Sequence, residues 1–210
     1  MINKGLLMAG LASPVLYGGT VILGGFLTPG YSHRYHAISE LTASGAPAAM
    51  VLNILFTLSL FLALIFGIGA LSVLGRFKVQ TLNNGIGLLV VIALLSLLWP
   101  LFPMDPRGAE TSIGGIIHLV LAALVAPMTI LCPLLVGLGS RKLTSRRGYP
   151  VYSVVSAAII LIAGLAAVGS TGPGALLGVY ERVTIGAYQQ WMAGTALFLY
   201  TVPQSSSHGF

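Results

Sequence analysis

The stretch PAAMVLNILFTLSLFLALIFGIGALSV, residues 47–73, decides the fold. It runs uncharged for longer than the roughly 20 apolar residues that a helix needs to cross a hydrocarbon core of about 30 Å. Working outward, similar apolar stretches occupy about 5–27, 82–102, 113–138, 149–172 and 176–201, separated by short polar or Gly/Pro-rich breaks. They are too long and too continuously apolar for barrel strands. A backbone amide left unpaired in lipid costs several kcal/mol, so helices are the structure that satisfies them. The expectation is an all-α, six-span transmembrane bundle forming one domain over 1–210.

Composition points the same way. With 56% hydrophobic and 7% charged residues and a mean hydropathy of +0.96, a soluble fold would lack polar surface. Lys4 followed by an apolar run resembles a signal peptide, yet the run continues through Phe26, a spanning length, so an uncleaved first span is expected. The single cysteine, Cys132, lies inside the fourth span and excludes an intramolecular disulfide or a two-cysteine metal site. Close helix approach is expected at small residues: Ala63 and Gly67, Gly18 and Gly19, Ala163 and Ala167, Gly186 and Ala193. Pro14, Pro127 and Pro133 fall within spans.

Charge gives orientation. Lys4, Arg76, Lys78, Arg141, Lys142, Arg146 and Arg147 sit at one end of the spans; Arg34, Arg107, Arg182 and the four carboxylates Glu40, Asp105, Glu110 and Glu181 sit at the other. The positive-inside rule then places both termini in the cytoplasm of a multi-pass protein of the cell's inner (plasma) membrane. The basic run 141–147 is open to a nucleic-acid reading. A solvated loop touching anionic headgroups explains it more simply, so membrane lipids, not nucleic acid, are the expected partners.

The polar residues of the outer end are where chemistry is expected. His33, His36 and Glu40 would share one face if their loop were helical, and histidines with a carboxylate suit zinc; an interfacial amphipathic helix has the same pattern. His118 lies about 8 Å inside the fourth span. An ionisable group at that depth needs a partner, with Asp105, Glu40 and Glu181 the natural ones, unless it is a neutral imidazole acting as structural glue. Glu181 and Arg182 open the last span; they either face an inward polar cluster or serve the helix dipole and snorkel to lipid phosphate. Gln189 and Gln190, deeper in that helix, favour the inward cluster.

The order Ile-Ser39-Glu40-Leu, Phe102-Pro103-x-Asp105, His118 thirteen residues on, then Glu181-Arg182, resembles the uncharacterised bacterial membrane proteins grouped as domain of unknown function 998. That family is similar in layout to six-span proteins of the Frag1/DRAM/Sfk1 type, which are associated with membrane lipid organisation. The resemblance singles out Ser39, Asp105, His118 and Arg182 and supplies no reaction. The chain departs from the expected pattern with Glu40 after Ser39 and with His33 and His36, which have no assigned role.

Three readings compete. The first is an outward-facing pocket that binds or organises a lipid headgroup or small amphiphile through Ser39, Glu40, Asp105, His118, Glu181 and Arg182. The second is a zinc-dependent hydrolase of the outer leaflet with His33, His36, His118 and Asp105 as ligands. The third is an accessory subunit packed against a membrane-protein partner or a second copy of itself. The location of every acid near one surface argues against proton-coupled transport. Whether catalysis occurs is left open.

Overall fold

The structure is a computed structural model that describes residues 4–144, 147–170, 172 and 174–201. Arg146, used above for orientation, and Thr171 and Pro173 lie outside the described residues. Six long helices carry the fold: α1 Lys4–Leu27, α2 Ala49–Leu74, α3 Gln80–Ser96, α4 Ile113–Ser140, α5 Gly148–Val168 and α6 Leu177–Thr201. No strand occurs among the described residues.

Five segments are long and apolar enough to cross a membrane: Gly5–Leu27, Ala49–Phe77, Gln80–Leu101, Ile113–Ser140 and Gly148–Val168. The sixth helix has 25 residues, ample length at 1.5 Å per residue. Glu181, Arg182, Gln189 and Gln190 dilute its apolarity, so composition alone does not make it a span.

Each helix packs against its neighbours in the chain, and α6 closes back on α1 to complete a ring. Short connections dictate this order at α2–α3, α4–α5 and α5–α6, because they leave consecutive helices antiparallel and adjacent. The ring is apolar outside as well as inside: Ile54, Leu58, Phe61, Ile65 and Ile68, at helical spacing on α2, are all exposed, as a lipid-facing stripe requires. Its main core gathers Phe66, Leu89, Ile160, Trp191 and Leu199, and a separate cluster of Val21, Ile38, Leu41 and Leu52 lies nearer the acidic end.

Glycines set the closest contacts. A Cβ on Gly139 of α4 would lie 2.7 Å from the Leu82 amide nitrogen of α3, and one on Gly85 of α3 would lie 2.9 Å from the Val136 nitrogen of α4. Of the expected small-residue contacts, Gly67 meets Leu89 and Val90, and Ala63 and Ala163 are buried. Gly18, Gly19 and Gly186 have open space around their Cα atoms, so they do not serve close packing.

Between α5 and α6 the adhesive is polar. Tyr149 Oη donates to Thr195 Oγ1 (2.8 Å), Tyr152 Oη to Gln190 Oε1 (2.6 Å), Trp191 Nε1 to Ser153 Oγ (2.9 Å) and Gln190 Nε2 to Ser156 Oγ (3.1 Å). Hydrogen bonds of this kind hold helices together where lipid competes for every apolar contact. Gln190 is thus consumed by the seam, while the Gln189 side-chain oxygen is buried without a partner.

Candidate functional site

The acidic end is built from two loops and the first turns of α6. After α1 the chain turns at Gly30 (φ +76°), runs through a tight turn at 33–36 and a 3-10 turn at Ile38–Thr42, and turns again at Gly45 (φ +79°) before α2. His33, His36 and Glu40 therefore do not lie on one helical face. The His33 ring packs over Gly25 of α1, leaving no room there for a Cβ. His36 Nδ1 accepts the Ser32 amide (3.0 Å), so that nitrogen carries no proton.

The α6 turn 178–182 clasps this loop. Glu181 Oε2 accepts the Ile38 amide (2.7 Å), and the Val179 amide donates to Arg34 O (3.2 Å). Arg182 Nη1 donates to His36 O (3.0 Å) and Gly178 O (2.8 Å), and Nη2 donates to Tyr31 Oη. Tyr31 Oη donates onward to Ala37 O (2.8 Å), and the guanidinium lies 5.6 Å from the Tyr31 ring centre. Arg182 faces inward and does not snorkel. The approach is possible because residue 178 is glycine: a Cβ there would lie 2.6 Å from both the His33 and His36 carbonyl oxygens.

Desolvation pushes the Tyr31 phenol up to about 12 despite the adjacent Arg182 cation, so it keeps its proton and acts as the donor to Ala37. Desolvation first, and Arg182 second, hold His33 below the usual histidine range.

The second loop joins the first. Glu40 Oε1 accepts the Ala37 amide (2.8 Å) and Arg107 Nη2 (2.7 Å), and this hydrogen bond to Glu40 holds the Arg107 guanidinium above its ordinary value. The adjacent amides of Ala37 and Ile38 thus go to two different carboxylates. Ser39 Oγ donates to Met104 Sδ (3.0 Å), and the Ser44 amide to Met104 O (2.9 Å).

Asp105 and His118 have local tasks. Asp105 accepts the Ser112 hydroxyl (2.7 Å) and amide (2.9 Å), which hold its carboxyl below the usual aspartate range. Ser112 in turn caps α4 by accepting the Gly115 amide (3.0 Å). His118 Nδ1 bonds Phe102 O (2.9 Å); a carbonyl only accepts, so Nδ1 carries the proton, and the ring rests against Trp99 at 4.6 Å. His118 is not hydrogen-bonded to Asp105, Glu40 or Glu181, the partners expected for it. Glu110 is exposed.

Among the described residues no group of three His, Cys, Asp or Glu side chains is placed to hold a metal ion. The proposed zinc ligands His33, His36, His118 and Asp105 are thus not brought together. What the structure does gather is Glu181, Arg182, Tyr31 and the backbone of 34–38, with Glu40, Ser39 and Arg107 alongside. Tyr31 and Ser112 were not foreseen. Ser112 had a signal, a serine directly before an apolar periodic run, whereas Tyr31 could only be read as an aromatic at headgroup depth.

A closed ring of long apolar helices with a polar clasp at one end defines a polytopic, all-helical integral membrane protein. No curated protein and no solved structure matches the chain. The chain belongs to the family described as protein of unknown function (DUF998), whose pattern matches residues 11–197.

Proposed function

We propose that this is a six-span inner-membrane protein with both termini cytoplasmic, whose outer end binds or organises the anionic headgroup of a lipid or small amphiphile. One observation carries the reading. Arg182 is partly buried among neutral acceptors, no side-chain carboxylate lies within ion-pair distance of it among the described residues, and its Nε is buried without a partner. A cation withdrawn from water needs a counter-charge, and a guanidinium suits phosphate, which it can bind through two parallel N–H bonds. Exposed Arg34 at the same end adds attraction for an anionic surface.

The test is lipid retention by the purified protein, read by native mass spectrometry. Phosphatidylglycerol should be retained over phosphatidylcholine, and Arg182→Gln should lower that retention roughly tenfold, the worth of one hydrogen bond to a charged group. Equal retention by both proteins refutes it. A second reading, docking against another membrane helix, is favoured by Gly18, Gly19 and Gly186, which stay open on α1 and α6; co-purification of a stoichiometric partner after mild solubilisation would support it.

A further inference from the structure

The guanidinium has two edges able to grip a phosphate through paired N–H groups: the end-on pair Nη1 and Nη2, and the side-on pair Nε and Nη2. Nη1 is committed to the carbonyls of His36 and Gly178. Among the described residues, Nε on the side-on edge has no partner, and the single acceptor at Nη2 is the phenol of Tyr31. That phenol is an interchangeable acceptor, neutral where the site's charge calls for an anion. It belongs to a loop with a positive-φ glycine at each end, Gly30 and Gly45, both in open space.

Resting on the headgroup reading above, we propose that Tyr31 is a displaceable cover on Arg182, and that a phosphate monoester or diester binds the Nε and Nη2 edge by pushing the phenol aside. Binding then also breaks the Tyr31 to Ala37 bond. Occupancy of the site and release of Tyr31 from the Ala37 carbonyl become one event, while Nη1 keeps the carbonyls of His36 and Gly178. No bond is made or broken covalently; the exchange is one neutral acceptor for one anionic acceptor.

The experiment titrates the full-length detergent-solubilised protein with dioctanoyl phosphatidylglycerol and, separately, with inorganic phosphate. Tyr31→Phe removes the competing acceptor and should tighten binding roughly tenfold, whereas Arg182→Gln should lose it. Tightening toward both probes assigns the site to phosphate in general, and tightening toward the lipid alone assigns it to a headgroup; either supports the proposal. Unchanged or weaker binding by Tyr31→Phe, with Arg182→Gln still defective, overturns the cover and leaves the headgroup reading intact. Unchanged binding by Arg182→Gln overturns both.

A second measurement works if Tyr31→Phe does not fold. Ala37, whose carbonyl Tyr31 holds, is 6% exposed, and Cys132, at 0%, is silent to an impermeant maleimide. Ala37→Cys should label several-fold faster when phosphatidylglycerol is added. A rate that does not respond to the lipid overturns the proposal.

Discussion

Gly178→Ala is the sharpest probe of the clasp. The new methyl would sit 2.6 Å from two backbone oxygens, those of His33 and His36, and 3.0 Å from Arg182 Nη1. Ordinary carbon–oxygen contacts begin near 3.3 Å, so loop 31–38 must retreat by about 0.7 Å. Neither oxygen belongs to a flexible side chain that could turn away. The retreat stretches the Arg182 to His36 bond from 3.0 Å, the Val179 to Arg34 bond from 3.2 Å and the Ile38 to Glu181 bond from 2.7 Å. Overpacking costs about 1–3 kcal/mol, and weakened bonds to charged groups add to it. Against this stands the helix preference for alanine over glycine, at most about 1 kcal/mol. The clasp should lose about 1–3 kcal/mol, raising the open population between 5-fold and 150-fold on the usual scale of about 1.4 kcal/mol per tenfold. Hydrogen exchange at the Ile38 and Val179 amides reads this directly. Exchange as slow as in the unsubstituted protein, with an equal or higher melting temperature, would refute the close approach.

Other substitutions separate structural from electrostatic roles. His118→Ala loses the Phe102 bond and the Trp99 contact, about 2–3 kcal/mol, and Trp99 emission should shift red, since the other tryptophan, Trp191, is fully buried; unaltered melting and emission would contradict it. Arg107→Ala breaks an ion pair whose arginine is 58% exposed, so stability should fall by less than about 1 kcal/mol and the loss should shrink in high salt; a larger, salt-independent loss would sink that view. Asp105 titrates below the ordinary aspartate value of about 3.9. A lowered folded value means its contribution is complete above about pH 4 and fades only as pH falls through that lowered value. Ser112 amide exchange should therefore stay slow at pH 5 and quicken in stronger acid, and Asp105→Asn should abolish that acid step. For orientation, Arg107→Cys should react with an impermeant maleimide on intact cells and Arg76→Cys only after permeabilisation; the reverse pattern would invert the topology.

The helices were legible because their signal is long and redundant: residues 47–73 need no neighbour to be recognised as α2. The sixth, expected as a span over 176–201, is a helix at Leu177–Thr201, but Glu181, Arg182, Gln189 and Gln190 keep it from the apolarity that marks the other five as candidate spans. Collecting Glu181 and Arg182 into an inward cluster was readable from the cost of leaving charges in lipid. Their partners were not, since Glu181 takes the Ile38 amide and Arg182 takes the carbonyls of His36 and Gly178 besides the Tyr31 hydroxyl, and backbone groups leave no mark in a residue pattern. His118 shows the same limit, bonding Phe102 O where a carboxylate was expected. The histidine spacing at 33 and 36 misled for a different reason: spacing predicts a shared face only on a regular helix, and Gly30 sends that loop into a tight turn instead.

Closure of the ring by α6 on α1 has a consequence for how the chain is made. Ionisable side chains resist partitioning from the translocon into lipid, and α6 leaves the ribosome after the other five described long helices. Glu181, Arg182 and Gln190 find hydrogen-bond partners in segments synthesised long before, in the 31–38 loop and on α5. Placement of α6 is therefore templated by the helices made before it. A defect in loop 31–38 would surface late, as misplacement of α6 in a full-length product that is then cleared by quality-control proteases.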